Sequence, residues 1–452
     1  MKRRVHNIIL PLLTLCTINM HAQQKVKLIT VDPGHFHAAL VQKTMYPEVD
    51  ANVHVYAEKG NDLQYHLDRI KGYNTRTEQP TKWNEIVYEG KDFFQKMISE
   101  RKGNVVVLAG NNKLKTSYIL NAVQNGFHVF ADKPMVINKE GFEQLKKAFE
   151  ISKQKKIQLY DIMTERYEIT TILQRALSME PSVFGTLEKG SPDNPSVTKE
   201  SVHHFYKYVS GNVLTRPSWF FDVTQEGEGI VDVTTHLVDL IQWECFPNKI
   251  IDYKKNVTIL NAKSWNTSIS QDEFKLVTKE KEIPSYLQNK IDQTGNLQVL
   301  CNGAFTYSIN GVHAKVSVIW NYKAPDGTGD THYSLMRGTK SSLIIRQGKE
   351  ENFKPTLYVE GATDAQSEKN LMTAIQKINA TYPGVSLKKN NKGWEIIIPD
   401  QYKESHETHF ARVTEKYLEY LQKNNMPSWE IPNMIAKYYT TTAARDLANK
   451  SK

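Results

Sequence analysis

The chain has 452 residues, of which 40% are hydrophobic and 24% are charged. This length exceeds one typical domain, and the composition is that of a folded globular protein rather than a disordered or fibrous one. After the first two dozen residues no apolar run approaches the roughly 20 residues that cross a bilayer, which excludes a multi-span membrane protein. Three cysteines exclude a disulfide scaffold.

The first 22 residues have the layout of a secretory signal. Three basic residues at positions 2–4 precede an apolar stretch over 8–18, and the predicted cleavage site follows Ala22. The apolar stretch is short for a membrane anchor, and the bulky Leu15 in front of Cys16 argues against a lipoprotein. We therefore expect export to a bacterial periplasm, without stable insertion in the membrane.

The charge of the chain is +9, and the predicted leader holds three of the basic residues and no acidic residue. The other lysines are spread along the chain, with no basic stripe interleaved with aromatic residues. This pattern is typical of a solvated surface and predicts no nucleic-acid partner. Cys245 and Cys301 remain in the mature chain, and the sequence leaves both a disulfide and two separate thiols open.

Strand and helix patterns alternate along the first 160 residues after the leader. This alternation with short connections predicts a doubly wound parallel sheet, and ligands of such sheets bind at the carboxyl ends of the strands. Attention therefore falls on residues 32–37, 58, 110–112 and 132–134. The predicted strands are 25–31, 51–57, 104–109, 127–131 and 157–160, and the predicted helices are 38–44, 116–125 and 139–153.

The loop after the first predicted strand departs from the usual dinucleotide-binding pattern. That pattern is G-x-G-x-x-G, whereas residues 32–37 read D-P-G-H-F-H and keep only Gly34. Glu58 ends the second predicted strand at about the spacing where an acidic residue binds the adenosine ribose. A carboxylate repels a 2′-phosphate, so Glu58 favours NAD over NADP, although Lys59 beside it weakens this inference.

His35 and His37 in this loop allow three interpretations. They could begin a metal site, cap the following helix or face solvent, or replace glycine amides as donors to a diphosphate. The other predicted strand ends supply Glu58, Asn111 and Asp132 but no further histidine. Because a metal site needs more ligands from other strands, we predict no metal.

Three motifs resemble the Gfo/Idh/MocA family, named after glucose-fructose oxidoreductase and inositol dehydrogenase. They are A-G-N-N at 109–112, G-F-H-V-F-A-D-K-P at 126–134 and G-E-G-I-V-D-V-T-T-H-L-V-D at 227–239. The family carries A-T-P-N, G-K-H-V-x-x-E-K-P and G-G-G-x-L-x-D-x-G-x-H-x-x-D in the same order. The resemblance covers about residues 25–243.

The resemblance implies an α/β protein with an N-terminal Rossmann domain for a nicotinamide cofactor. A C-terminal α+β domain with an open, mostly antiparallel sheet would follow. We expect a leader at 1–22, the Rossmann domain at 23–160 and the second domain at 161–452. Alternating runs at 303–309, 314–322, 332–336 and 342–346 independently predict hairpins, and 404–423 is predicted as a closing amphipathic helix.

The polar residues that the family places near the nicotinamide correspond to Lys133, Asp232 and His236. A cation can polarise the forming carbonyl, a histidine can exchange the carbinol proton, and a carboxylate can position one of them. The alternative roles are structural: Asp232 as a helix cap, His236 as a core residue and Lys133 as a surface residue.

The resemblance and the strand ends together give the remaining candidate contacts. Asp132 replaces the family glutamate and keeps its charge, and His406 and His409 are predicted to lie on the surface. The predicted cofactor contacts are Gly34, His35, Phe36, His37, Glu58, Gly110, Asn111, Asp132 and Lys133, and the predicted substrate contacts are Arg166, Trp219 and His236.

The combined prediction is a periplasmic oxidoreductase that oxidises a hydroxyl group of a sugar. By similarity to the family, this hydroxyl is the one at C3. The enzyme would be either a dehydrogenase or a net glycosidase. An exported enzyme cannot draw on the cytoplasmic nicotinamide pool, so NAD or NADP should be tightly bound. The alternative is a cofactor-free keto-sugar lyase or hydrolase, or a carbohydrate-binding protein, which the lost glycines favour. The resemblance also implies a small sugar or glycoside as partner and a homo-oligomer.

Overall fold

The computed structural model describes residues 25–209, 212–325 and 327–450. The predicted leader at 1–22 lies outside these residues. Among the helices within the described ranges, none combines the length and the apolar character that crossing a membrane requires.

Residues 28–162 form a parallel sheet of six described strands in the order β3-β2-β1-β4-β5-β6. The central strand β4, Val-Val-Val-Leu, is buried along its whole length, as a strand covered on both faces should be. This sheet confirms the predicted doubly wound fold. Its elements are β1 (Leu28–Val31), α1 (His37–Leu40), β2 (Asn52–Ala57), α2 (Asn61–Thr75), β3 (Asn84–Glu89), α3 (Phe93–Glu100), β4 (Val105–Leu108), α4 (Asn112–Gln124), β5 (His128–Asp132), α5 (Lys139–Lys155) and β6 (Leu159–Ile162).

Three of these elements, α2, β3 and α3, are absent from the sequence-based prediction. The edge strand β3 is mostly exposed, so it has no buried apolar face that would produce a periodic pattern. The other strands lie within about three residues of their predicted bounds. The predicted helix at 38–44 is limited to the four residues of α1.

The second part of the chain forms a mixed sheet in the order β10-β11-β12-β7-β13-β14-β15-β17-β16. Its pairs are antiparallel except for β7 with β12, which confirms the predicted mostly antiparallel sheet. The elements are α6 (Ile169–Ser178), β7 (Val197–Tyr206), β8 (Tyr208–Val209), β9 (Asn212–Val213), α7 (Thr234–Cys245), α8 (Tyr253–Asn256), β10 (Val257–Ile269), α9 (Gln271–Thr278), β11 (Leu297–Ile309), β12 (Val312–Lys323), β13 (Thr331–Arg337), β14 (Ser342–Arg346), β15 (Thr356–Glu360), α10 (Ala365–Asn379), β16 (Ser386–Asn390), β17 (Gly393–Ile397), α11 (His406–Lys423) and α12 (Glu430–Lys450).

The predicted hairpins are partly correct. Asn310 and Gly311 both have positive φ, as a two-residue hairpin turn requires, and β11 pairs with β12 across them. The hairpin expected between β12 and β13 is wrong, because β7 lies between them and pairs with both. Local alternation identifies a strand but not the distant partner that lies beside it.

The two C-terminal helices return to the first sheet. In α11, Tyr417 stacks on Phe130 of β5 with ring centroids 4.4 Å apart, and Tyr438 of α12 is buried in the same core. The predicted helix at 404–423 is confirmed as α11, but it does not close the fold, because α12 follows it. The core of the Rossmann sheet therefore contains residues from the far end of the chain.

A buried ion-pair network joins the first sheet to α7 and α12. Arg166 donates to Asp239 at 2.6 and 2.8 Å and to Glu430 at 3.0 Å. Lys437, which is fully buried, lies 2.7 Å from Asp161 and 2.8 Å from Asp239. We therefore correct the predicted substrate contact of Arg166, because its guanidinium is directed at two buried carboxylates and has a structural role.

Replacing Lys437 with Met removes the cation between Asp161 and Asp239. We expect the free energy of unfolding to fall by about 3 to 5 kcal/mol, because two buried carboxylates lose a partner. Urea unfolding followed by tryptophan fluorescence measures the change. The control Lys377→Met breaks an exposed pair with Glu180 at 2.8 Å and should cost about 1 kcal/mol or less. Equal losses in both variants would contradict the role of this network.

Candidate functional site

The candidate site lies where the carboxyl ends of β1, β4 and β5 meet the segment that precedes α7. Strand β5 ends at the buried Asp132, and the next residue, Lys133, leaves the sheet toward the second part of the chain. Its Nζ lies 2.5 Å from Oδ1 of Asp232. The contact joins residues 99 positions apart and brings together two of the residues that the family motifs single out.

Both members of this pair are charged. Burial opposes the charge on Lys133, but Asp232 and Asp132 outweigh it and raise the pKa of the ammonium above its ordinary value. Burial likewise opposes the charge on Asp232, and Lys133 keeps the pKa of this carboxyl below its ordinary value. The pair therefore presents a fixed ammonium and a fixed carboxylate in a site with little water.

His236 lies in the first turn of α7, beside the Lys133–Asp232 pair. Burial, together with the charge of Lys133, lowers the pKa of its imidazole from 6.5 to about 3. Its Nδ1 is buried and has no hydrogen-bond partner among the described residues. At neutral pH the side chain is therefore an uncharged imidazole with one polar atom free to take part in hydrogen bonding.

Sequence reasoning missed a second polar chain behind the pair. Asn112 donates to the carbonyl of Glu226 at 2.7 Å and to its Oε2 at 3.1 Å. Lys115 donates to Asn112 Oδ1 and, at 3.2 Å, to the carbonyl of Asp132. Burial and the neighbouring Asp232 raise the pKa of Glu226 well above its usual range. Asn112 belongs to a motif, but nothing in the sequence marks Lys115 or Glu226 as buried.

The loop after β1 packs directly on the loop after β4. Asp32 has a positive φ of 48°, and the amides of Gly34 and His35 donate to the carbonyls of Asp32 and Ala109 at 2.8 and 3.0 Å. A Cβ on Gly110 would lie 1.9 Å from the Asp32 carbonyl oxygen. A side chain at position 110 would prevent this close approach. The packing of the two loops therefore explains the glycine at this position, and the predicted cofactor contact is not needed to explain it.

His35 and His37 turn inward to Asp132. Their Nδ1 atoms lie 3.3 and 2.9 Å from its Oδ2. Burial lowers the pKa of His35 to about 4, despite the opposing effect of Asp132. Each imidazole thus faces a carboxylate through Nδ1, and donation to a diphosphate, one of the three interpretations of these histidines, stays a prediction that involves Nε2.

Trp219 covers the remaining glycine of the loop. Its Nε1 donates to Oδ2 of Asp62 at 2.8 Å, and a Cβ on Gly34 would lie 3.0 Å from the indole. The cavity left here has a volume of about 10 Å³ and is lined in part by Arg69 and Arg216, which is room for about one water molecule. Trp219, which the sequence predicts as a substrate contact, therefore contacts the loop after β1, where cofactor contacts are predicted.

The other predicted cofactor contacts occupy different parts of this edge. Phe36 is buried just before α1, and Glu58 is exposed directly after β2. Asn111 caps α4 by accepting from the amide of Lys113 at 3.0 Å, and it donates to Gln225 at 2.8 Å. Of these residues, only Glu58 has a side chain that is open to a ligand without rearrangement.

The two histidines of α11 that the sequence places on the surface differ in burial. His406 is exposed, as predicted, with its Nδ1 3.2 Å from Glu165 and its ring 6.0 Å from that of His37. His409 is buried, so the prediction for this residue is wrong. Cys245 and Cys301 are both free thiols.

Comparisons with known proteins agree with this architecture. Residues 173–449 match the family model described as "Putative oxidoreductase C terminal domain". Residues 67–161 match the model described as "Oxidoreductase family, NAD-binding Rossmann fold". The second match begins after the D-P-G-H-F-H loop, so the first strand and its loop lie outside it. No curated protein matches the chain.

Solved structures support the same assignment. A structure described as that of a "putative oxidoreductase from Parabacteroides merdae ATCC 43184" is 55% identical, with a TM-score of 0.93 over 95% of this chain and 99% of that chain. Levoglucosan dehydrogenase in complex with NADH and levoglucosan shares the fold at 14% identity, with a TM-score of 0.59 over 95% and 98% of the two chains. GenD2 from gentamicin A biosynthesis in complex with NAD does so at 15% identity, with a TM-score of 0.57 over 95% and 96%.

The two family matches cover most of the described residues, and the three sequence motifs converge on one edge of a Rossmann sheet. The chain therefore belongs to the Gfo/Idh/MocA family of oxidoreductases, with an NAD-binding Rossmann domain followed by the C-terminal domain of that family.

Proposed function

We propose that this protein is an oxidoreductase that oxidises a hydroxyl group of a sugar or glycoside with NAD. The observation that carries the proposal is the buried Lys133–Asp232 pair, 2.5 Å apart, beside an uncharged His236. A cation and a neutral base at one edge of a Rossmann sheet are what removal of a carbinol proton requires. The fold shared with levoglucosan dehydrogenase supports a sugar as substrate.

The residues at this edge fit the two ends of a dinucleotide. Glu58 is exposed at the end of β2 and can accept hydrogen bonds from ribose hydroxyls, which favours NAD over NADP. Lys133, Asp232 and His236 form the polar end where the reaction would occur. Between these ends, the Trp219 indole covers Gly34, so we propose that the indole leaves this glycine when a diphosphate binds.

A bound nicotinamide supplies the hydride acceptor. His236 is the proposed acceptor of the hydroxyl proton, because its imidazole is uncharged at neutral pH and its Nδ1 has no hydrogen-bond partner among the described residues. The Lys133 ammonium stabilises the negative charge that develops on the carbinol oxygen, and Asp232 holds the ammonium in place. The little water in this buried site strengthens both interactions.

We further propose that the enzyme acts in the periplasm, on the basis of the leader predicted at 1–22. In that compartment a tightly held cofactor would be reduced and reoxidised within one catalytic cycle. By similarity we propose the C3 hydroxyl as the position oxidised. A dehydrogenase and a net glycosidase would use the same three side chains, and the mass of the released product distinguishes them.

The test uses purified protein, NAD and a panel of glycosides, with ketone formation and NADH absorbance as readouts. We expect Lys133→Met and His236→Gln each to lower kcat by about 100-fold or more while NAD affinity changes little, because each loses a group that acts on the proton or the developing charge. The controls Lys139→Met and His313→Gln should keep wild-type rates. Undiminished activity in both site variants would refute the assignment.

The neutral state of His236 also predicts a dependence of stability on pH. Its pKa is about 3 in the folded protein and 6.5 ordinarily, so the unfolded chain takes up the proton first. The stability that depends on this group is present above pH 6.5 and is lost as the pH falls toward 3. We expect the melting temperature of His236→Gln to fall less than that of the wild type between about pH 7 and pH 5. An unchanged slope in His236→Gln, equal to that of the control His313→Gln, would mean that His236 titrates normally.

One observation favours a second candidate, a cofactor-free lyase or hydrolase of keto-sugars. The amides of Gly34 and His35 are already used within the protein, and the Asp62–Trp219 hydrogen bond keeps the indole over the loop. The side chains of Lys133, Asp232 and His236 could polarise the carbonyl of an existing ketone and move a proton on the neighbouring carbon.

Calorimetric titration of NAD into the wild type and into Trp219→Ala separates the two candidates. For the oxidoreductase we expect measurable binding to both proteins and tighter binding to Trp219→Ala, because the indole no longer competes for the face of Gly34. Phe220→Leu is the control for packing in the same short turn. Absence of binding to all three proteins, together with no NAD or NADP released when they are denatured, would leave the cofactor-free candidate.

A further inference from the structure

We propose that His35, His37 and Asp132 form a binding site for one divalent transition-metal ion. One potential ligand atom from each of these side chains lies within 4.8 Å of the other two. The sequence-based expectation of no metal rested on the lack of a third histidine, and the structure supplies a carboxylate in its place. The proposal does not depend on the proposed oxidation of a sugar.

The distances from the two imidazoles to the carboxylate fit the ligation of one metal ion. Nδ1 of His37 and Nδ1 of His35 lie 2.9 and 3.3 Å from Oδ2 of Asp132. At metal–ligand distances of about 2.0 to 2.1 Å, neighbouring ligand atoms of an octahedral or tetrahedral ion lie about 2.9 to 3.4 Å apart. The rings of the two histidines meet edge to face, with centroids 4.0 Å apart, so they approach the carboxylate from different directions.

Hydrogen bonding alone leaves this cluster incomplete. Among the described residues, neither Nδ1 of His35 nor Oδ1 of Asp132 has a hydrogen-bond partner, although both atoms are buried. Leaving two buried polar atoms unpaired costs about 1 to 3 kcal/mol for each atom. An ion held by Nδ1 of His35 and by both carboxylate oxygens of Asp132 would satisfy these two atoms together, and their lack of a partner is the second, independent observation for a ligand here.

The backbone around the cluster is fixed before any ion binds. The amide of His35 is tied to the carbonyl of Ala109 at 3.0 Å, and the carbonyl of Asp132 accepts from Lys115 at 3.2 Å. The ring of His37 packs on Phe410 of α11 with centroids 4.6 Å apart. Rigid ligands reduce the cost of ordering the site when the ion enters.

The donor set selects the class of metal and leaves positions open. Two imidazoles and one carboxylate suit zinc, cobalt or iron(II) rather than magnesium or calcium, which prefer oxygen ligands. Three protein ligands leave at least one position for water or a substrate oxygen. His35 keeps 14% side-chain exposure and lines a small cavity with Arg216 and Phe220, so this is the accessible side of the cluster.

Metal binding is measured on the purified full chain without any cofactor, after treatment with EDTA and dialysis. We expect one equivalent of Zn²⁺ to bind by calorimetry and Co²⁺ to give the visible spectrum of nitrogen and oxygen ligands. His35→Gln and Asp132→Asn should each weaken binding by at least about 100-fold, because each removes a ligand. The control His313→Gln should bind as the wild type does.

A crystal of the wild type soaked in Zn²⁺ provides the readout that does not depend on folding of the variants. Anomalous density between His35, His37 and Asp132 is the expected result. Absence of Zn²⁺ and Co²⁺ binding to the wild type, or an ion located elsewhere, would overturn the proposal. Because no substrate or NAD is present, failure of this test leaves the oxidoreductase assignment untouched, and the reverse also holds.

Discussion

The structure of the site depends on burying the charges of one dipeptide, Asp132-Lys133, at the end of β5. The carboxylate faces two histidines of the first loop, and the following ammonium pairs with Asp232 from the second part of the chain. Each charge needs a partner because an isolated buried charge is strongly unfavourable. The partners come from two distant segments, so the contacts of two adjacent charges fix the relative position of the whole site.

The C-terminal helices provide the rigid support that such an arrangement needs. Tyr417 packs on β5 itself, and Lys437 bridges carboxylates at the end of β6 and in α7. The strand that carries Asp132 is therefore held by α11, and the helix that carries His236 is tied to β6 through α12. A site assembled from two sheets gains its geometry from this shared core rather than from the loops alone.

The sequence predicts the elements that have a buried apolar face and the residues that lie in family motifs. Strands β1, β2, β4 and β5 follow from continuous apolar runs, and the meeting of Lys133 with Asp232 is anticipated by two motifs about one hundred residues apart. The exposed edge strand β3, the helix α12 and the insertion of β7 between β12 and β13 are missed. Their positions depend on pairing and packing with distant residues.

The same limit applies to the site. The histidines of the first loop are visible in the sequence, but their contact with Asp132 joins residues 95 positions apart in the case of His37. The role of Arg166 changes from substrate contact to ion pairing because Asp239 and Glu430 reach it from other helices. The burial of Lys115 and Glu226 likewise has no local signal, since neither residue belongs to an apolar pattern.

A crystal structure of the protein grown with NAD and a non-reacting glycoside would locate both ligands relative to these side chains. We expect the nicotinamide and one sugar hydroxyl beside Lys133, Asp232 and His236, the adenosine ribose at Glu58, and the Trp219 indole displaced from Gly34. A glycoside bound elsewhere, or Trp219 still hydrogen-bonded to Asp62 with no dinucleotide at the strand ends, would contradict it.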